Sequence, residues 1–223
     1  MPETASVTPL DRLRYVVVEG PIGVGKTTLT RLLIERFRGR GVFEVVEENP
    51  FLASFYSDRD KYAFQTQLFF LLSRFKQQQA LFQDDLFQHT IISDYLFAKD
   101  RIFATLTLDP NELALYERVY ENLGPRVRKP DLVIYLRARL DVLLARIRRR
   151  GREFERRFDP EYLEQLCSTY NDFFFRYDET PLLVVDTSEI DFVANESDLD
   201  EILQAVKRTR KGTTHLQPSL RAV

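Results

Sequence analysis

The chain has 223 residues, 44% of them hydrophobic and 30% charged, with a formal net charge of −2. That is enough for one substantial globular core, and the charge balance argues against a nucleic-acid binder, which is basic overall. A lone cysteine, Cys167, excludes an internal disulfide, and no apolar run reaches the roughly 18 residues of a membrane span.

Residues 1–14, MPETASVTPLDRLR, carry no apolar segment of the secretory kind and read as an N-terminal extension. A reduced, cytoplasmic setting is the expectation. The first strand is YVVVE (15–19), a β-branched run ending at a glycine turn. Gly20, Pro21, Ile22, Gly23, Val24, Gly25, Lys26 and Thr27 then fit GxxxxGK[ST], and Thr28 opens a helical pattern carrying Leu29, Leu32, Leu33 and Phe37. Glycines let backbone N–H groups turn onto phosphate oxygens, and the helix directs its positive end at the same place. Lys26 is expected at the β- and γ-phosphates and the Thr27 hydroxyl at Mg²⁺.

VFEVVEE (42–48) is the second strand candidate, and it brings Glu47 and Glu48 to a strand end. Ligands of doubly wound sheets bind at such ends, and a carboxylate there can accept the proton of an attacking hydroxyl. A solvated acidic loop is the alternative. A long helical stretch follows, from about Lys61 to Phe87, apolar almost all round at its centre and therefore expected to be buried. Gln67 and Arg74 interrupt it two turns apart on one face. A glutamine amide offers both the donor and the acceptor that a base edge requires, and an internal polar network would use the same groups.

HTIISD (89–94) is the third strand candidate; its terminal Asp94 is placed to hold Mg²⁺, to cap a following helix, or both. DLVIYL (131–136) is the fourth. Residues 146–157, RIRRRGREFERR, carry seven arginines around Gly151. Arg146, Arg150 and Arg152 on a segment that can close suit the charge of a transferring phosphoryl group. A solvated helix end is the alternative, and Gly151 with Glu155 favours a lid. Cys167 lies within YLEQLCSTY, at helical spacing with Tyr162, Leu163, Leu166 and Tyr170, and reads as a small core residue. PLLVVD (181–186) is the fifth strand. The segment 211–223, KGTTHLQPSLRAV, has no periodicity and is expected to fray. Short apolar strands separated by helices predict one α/β domain over 15–210, with a five-stranded parallel sheet covered on both faces and a lid at about 146–157.

These stretches together resemble the deoxynucleoside kinase family, most closely its bacterial deoxyguanosine/deoxyadenosine kinase branch, from about Tyr15 to Leu203. The resemblance implies a P-loop kinase fold, ATP as donor with Mg²⁺, a deoxynucleoside 5′-hydroxyl as acceptor, and a homodimer with no nucleic-acid or membrane partner. It implies that Glu47 is the general base and that Tyr56 and Glu155 contact the 3′-hydroxyl. Gln67 and Arg74 would read the base, with Asp100 as a second reader and Lys99 competing for that position. Arg146, Arg150 and Arg152 would be the lid arginines, and Asp191-Phe192 would pack on the donor adenine. Many members carry an arginine after the acidic residue of the third strand, where this chain has Asp94-Tyr95, so a cation at the 5′-hydroxyl must come from elsewhere; the lid arginines are the expected source. A nucleoside monophosphate kinase of the thymidylate kinase type shares cradle, fold and lid, but Glu47 and Glu48 would repel its acceptor phosphate. A nucleotide-sensing protein without chemistry would not need the base and lid.

Overall fold

A strand of five residues with no polar alternation has no face to offer water, so YVVVE must be covered on both sides. In the computed structural model, which describes residues 13–44, 48–83, 90–152 and 159–216, β1 (Tyr15–Glu19) is buried throughout and lies inside the sheet. Chain order is β1, α1 (Lys26–Phe37), β2 (Arg40–Val42), α2 (Leu52–Ser57), α3 (Arg59–Gln83), β3 (Ile91–Ser93), α4 (Lys99–Thr107), α5 (Pro110–Leu123), β4 (Leu132–Arg137), α6 (Leu140–Arg150), α7 (Pro160–Phe175), β5 (Leu182–Asp186), α8 (Glu196–Arg208) and β6 (Thr213–Leu216).

The sheet order is β2-β3-β1-β4-β5-β6, and every neighbouring pair is parallel. Parallel neighbours require crossovers, and helices supply them. Leu29 and Leu33 of α1, Leu143 and Ile147 of α6, Leu163, Leu166 and Tyr170 of α7, and Ile202 of α8 pack with the strands in one apolar core. Full burial of each such leucine or isoleucine contributes about 1.5–3 kcal/mol. A smaller cluster of Leu71, Phe97, Ala104 and Tyr116 joins α3, α4 and α5. All strand carboxyl ends therefore open on one edge of the sheet.

Three expectations need correction. The sheet has six strands, because Thr213–Leu216 pairs with β5 from Leu182↔Thr213 to Val185↔Leu216; the segment expected to fray contributes an edge strand. β2 covers Arg40–Val42, its residues exposed or half-buried, with Phe43 and Glu44 outside it, while 45–47 of the expected strand lie outside the described residues. An edge strand gains little from apolar length, so EVVEE was a poor guide to its extent. Lastly, α3 is not buried all round. Ala63, Thr66, Gln67, Leu71, Arg74 and Gln78 form its buried side, while Leu72 is 48% exposed. Thr66, Gln67 and Arg74 face inward onto a cavity, and Gln78 donates to the Tyr15 hydroxyl at 2.9 Å.

Candidate active site

The chain leaves β1 through Gly20 and re-enters helix at Lys26. Gly25, at φ 105, forms the N-cap of α1 with no side chain capping it, so the first-turn N–H groups stay available to an anion. A Cβ on Gly20 would stand 2.2 Å from the Leu136 carbonyl oxygen, so only glycine lets the loop pass β4 there. Lys26 Nζ donates to the carbonyls of Gly20 and Pro21 at 2.7 and 3.1 Å. Burial and the charge of Lys99 push the Lys26 ammonium down to about 8. The Glu19 carboxylate, fully buried, accepts from the N–H groups of Gly20 and Leu96 at 2.8 and 2.7 Å and from the Tyr170 hydroxyl at 3.1 Å. It ties the cradle to the loop after β3.

That loop carries Asp94. Its Oδ2 accepts from the Thr27 hydroxyl at 2.6 Å, and its Oδ1 accepts from the Glu44 N–H at 2.7 Å. Asp94 does not cap α4, which starts at Lys99 with Ala98 at the N-cap. A hydroxyl and a carboxylate beside a phosphate cradle are hard oxygen donors suited to Mg²⁺. Among the described residues no cluster of three or more His, Cys, Asp or Glu side chains occurs.

One cavity of about 610 Å³ runs from the cradle towards α3, within the size range of small-molecule sites. Gly23, Val24, Gly25, Lys26, Thr27 and Thr28 line one end; Tyr56, Gln67, Arg74 and Lys99 line the other, with Asp94 also on its wall. Gln67 Nε2 donates to the Thr107 hydroxyl at 3.3 Å, and Arg74 is ion-paired to both Glu44 and Asp100. Asp100 is fully buried and does not reach the cavity wall, whereas Lys99 does. Asp100, expected near the base, pairs with Arg74 from behind the wall.

Glu44 was missed by sequence reasoning. It lines the cavity, and Lys99 Nζ donates to its Oε2 at 2.7 Å. Burial alone would raise its pKa; Arg74 and Lys99 overcome that and hold its carboxyl well below the usual carboxylate range. The signal was present in VFEVVEE, but a strand drawn through 42–48 placed the functional acids at its far end. Glu47 and Glu155 lie outside the described residues; Glu48 is exposed.

The arginines divide. Arg146 donates to the Thr187 hydroxyl and carbonyl at 3.0 and 2.9 Å and to the Val24 carbonyl at 3.3 Å, clasping the cradle to the end of β5. Arg149, Arg150 and Arg152 join it on the cavity wall, Arg149 being an addition to the expected set. Gly151 ends α6 in the left-handed region at φ 66. Asp191 and Phe192 also line the cavity, and the Phe192 ring lies over Gly25, its Cζ 3.1 Å from where a Cβ would be. Cys167 is half-buried within the apolar core, and burial pushes its thiol up to about 11, as a packing role requires.

The chain is similar to known proteins in sequence and fold. The deoxynucleoside kinase family profile matches residues 16–210. Deoxyguanosine kinase of Bacillus subtilis (strain 168) is 39% identical over 198 residues, covering 86% of this chain and 96% of its own. Deoxyadenosine kinase of Lactobacillus acidophilus (strain ATCC 700396 / NCK56 / N2 / NCFM) is 32% identical over 205 residues, covering 87% and 95%. The structure of deoxyadenosine kinase from M. mycoides with bound dCTP matches with a TM-score of 0.75 at 28% identity, over 86% of this chain and 98% of that one. With a triphosphate cradle and an amide–guanidinium pair opening on one cavity, and a family match spanning nearly all of the sheet, the chain belongs to the deoxynucleoside kinase family and is an ATP-dependent phosphotransferase.

Proposed function

We propose that the chain transfers the γ-phosphate of ATP to the 5′-hydroxyl of a purine deoxynucleoside, deoxyadenosine or deoxyguanosine, in nucleotide salvage. The observation that carries this reading is the single cavity joining the cradle at Lys26 to Gln67 and Arg74. The purine preference draws on relatives named deoxyguanosine and deoxyadenosine kinase. A monophosphate acceptor fits less well. Around that end, Glu44 and Asp100 already balance Arg74 and Lys99, leaving no surplus cation among these four for a dianion.

In this reading Gln67 and Arg74 hold the base, and Tyr56 and Glu155 hold the 3′-hydroxyl. Lys26 and the cradle N–H groups hold the triphosphate, with Asp191 and Phe192 beside its adenine. The 5′-oxygen bonds to the γ-phosphorus as the bond to the β,γ-bridging oxygen breaks, ADP leaves, and the 5′-hydroxyl proton passes to a carboxylate. Glu44, inside the cavity, is assigned that proton in preference to Glu47, which the sequence resemblance favoured. Thr27 and Asp94 hold Mg²⁺, which when bound screens the phosphate charge. Arg150 and Arg152 close over the same charge, and Arg146 anchors α6. Most of the rate comes from positioning and electrostatics, since phosphoryl transfer asks little covalent chemistry of a protein. The enzyme works as a homodimer in the cytoplasm.

The test is a phosphorylation panel with ATP and Mg²⁺, offering the four deoxynucleosides and their 5′-monophosphates, on wild type, Glu44→Gln and Glu47→Gln. Purine deoxynucleosides should turn over, and Glu44→Gln should lower kcat by about a hundredfold with binding nearly intact. The same loss in Glu47→Gln alone would move the base to Glu47. Product from the monophosphates alone would overturn the acceptor assignment.

A further inference from the structure

Asp94-Tyr95 leaves the acceptor end without the arginine expected there, and Arg146 of the lid is engaged by Thr187 and Val24. The Tyr95 side chain is itself fully buried. A different cation stands in the cavity. Lys99 opens α4, is only 4% exposed and lines the cavity wall. Its ammonium lies 2.7 Å from Glu44 Oε2, and Glu44 is its acceptor among the described residues. Asp94, a few residues before it, holds both Thr27 and the Glu44 backbone. One short segment thus fixes the cradle hydroxyl, the Glu44 main chain and the Glu44 carboxylate.

Arg74 divides its charge between Glu44 and Asp100, and Lys99 completes the balance from the cavity side of Glu44. An ammonium carries three donors, and burying one is unfavourable unless it is paired. Lys99 also repels Lys26 across the site, contributing to the lowered pKa of that residue. Glu44 and Asp94 on the same wall offset the two cations, and Lys99 meets the Glu44 carboxylate inside the cavity.

We infer that Lys99 is a positioning residue for the transfer: it aims the Glu44 carboxylate at the acceptor hydroxyl and keeps a positive charge beside the oxygen that attacks. The inference rests on Glu44 as the proton acceptor. The test uses the full chain and reads kcat and KM separately. Lys99→Met should lower kcat by about thirtyfold or more, a loss of transition-state interaction, with KM for ATP within about twofold. Lys99→Arg, which keeps the charge, should recover part of that turnover. Lys99→Gln carries the same expectation as the methionine variant if that one does not fold, as judged by circular dichroism and ADP binding. In the double variant Glu44→Gln/Lys99→Met the losses should not multiply, because one residue acts through the other. Near-normal turnover in Lys99→Met beside an impaired Glu44→Gln would overturn this inference alone, as would losses that multiply. Full turnover in Glu44→Gln would overturn the base assignment and this inference together.

Discussion

Lys26 shows how a side chain that is legible in the sequence acquires its behaviour from neighbours that are not. The GK[ST] spacing assigns it to phosphate, but burial and Lys99 lower its pKa from 10.5 to about 8. The unliganded protein therefore sheds the Lys26 proton above pH 8, whereas a bound polyphosphate favours the charged form and restores it. Nucleotide binding should take up a proton in this range, and ADP affinity should fall by roughly tenfold per pH unit above about pH 8. Titration calorimetry in buffers of different ionisation enthalpy checks this, with Lys26→Arg expected to remove the proton uptake; an affinity flat from pH 7 to 9.5 would refute it. The same linkage has a sign for stability: a depressed lysine weakens the fold below about pH 8, and the deficit is relieved as pH rises towards 10.5. Asp100 and Lys99 make the complementary point. Adjacent in sequence at the start of α4, they point to different environments, one under Arg74 and one into the cavity. Helical rotation of about 100° per residue separates them, and composition gives no hint of which faces inward.

At the scale of elements, β1, β4 and β5 were readable because central parallel strands are continuous apolar runs. Edge strands lack that signature. β6 reads TTHL, alternately exposed and half-buried, so nothing in its composition announces a strand; its place comes from pairing along Leu182–Val185 and from the Leu182 N–H donating to the Gly212 carbonyl at 2.9 Å. Among the described residues none beyond Val193 lines the cavity. Deleting residues 211–223 should therefore lower Tm by roughly 4–8 °C, the equivalent of about 2 kcal/mol in a protein of this size, with kcat/KM unchanged within about twofold. Differential scanning calorimetry and the same kinase assay check it, and an unaltered Tm would mean that β6 adds nothing to the sheet. α3 shows the opposite failure of pattern. Its hydrophobicity is real, but its inward face is built of Thr66, Gln67, Arg74 and Gln78, the reverse of an ordinary amphipathic helix.

For the whole molecule, that reversal leaves apolar surface outward. Leu72 on α3 is 48% exposed and Leu115 on α5 is 52% exposed, and the two helices pack against each other. The proposed second copy of the chain would cover this face, so sedimentation at micromolar concentration should give twice the chain mass. Leu72→Glu with Leu115→Glu should shift it to the monomer. A wild-type protein that sediments as a monomer would remove the homodimer from the proposal. Among the described residues no helix is long and apolar enough to cross a membrane.

The sequence by itself determined the cradle, the α/β class and the helix that presents Gln67 and Arg74. Each of these is written in contiguous residues or in a regular local period, so secondary structure follows almost directly. Only the tertiary structure decided that Glu44 enters the cavity, which residue of α4 reaches it, and where the sheet stops. Glu44 meets Arg74 across 30 residues of chain and Lys99 across 55. Contacts of that separation depend on where β2 leaves the sheet and how α3 and α4 are turned towards it, quantities that packing fixes and no local pattern encodes.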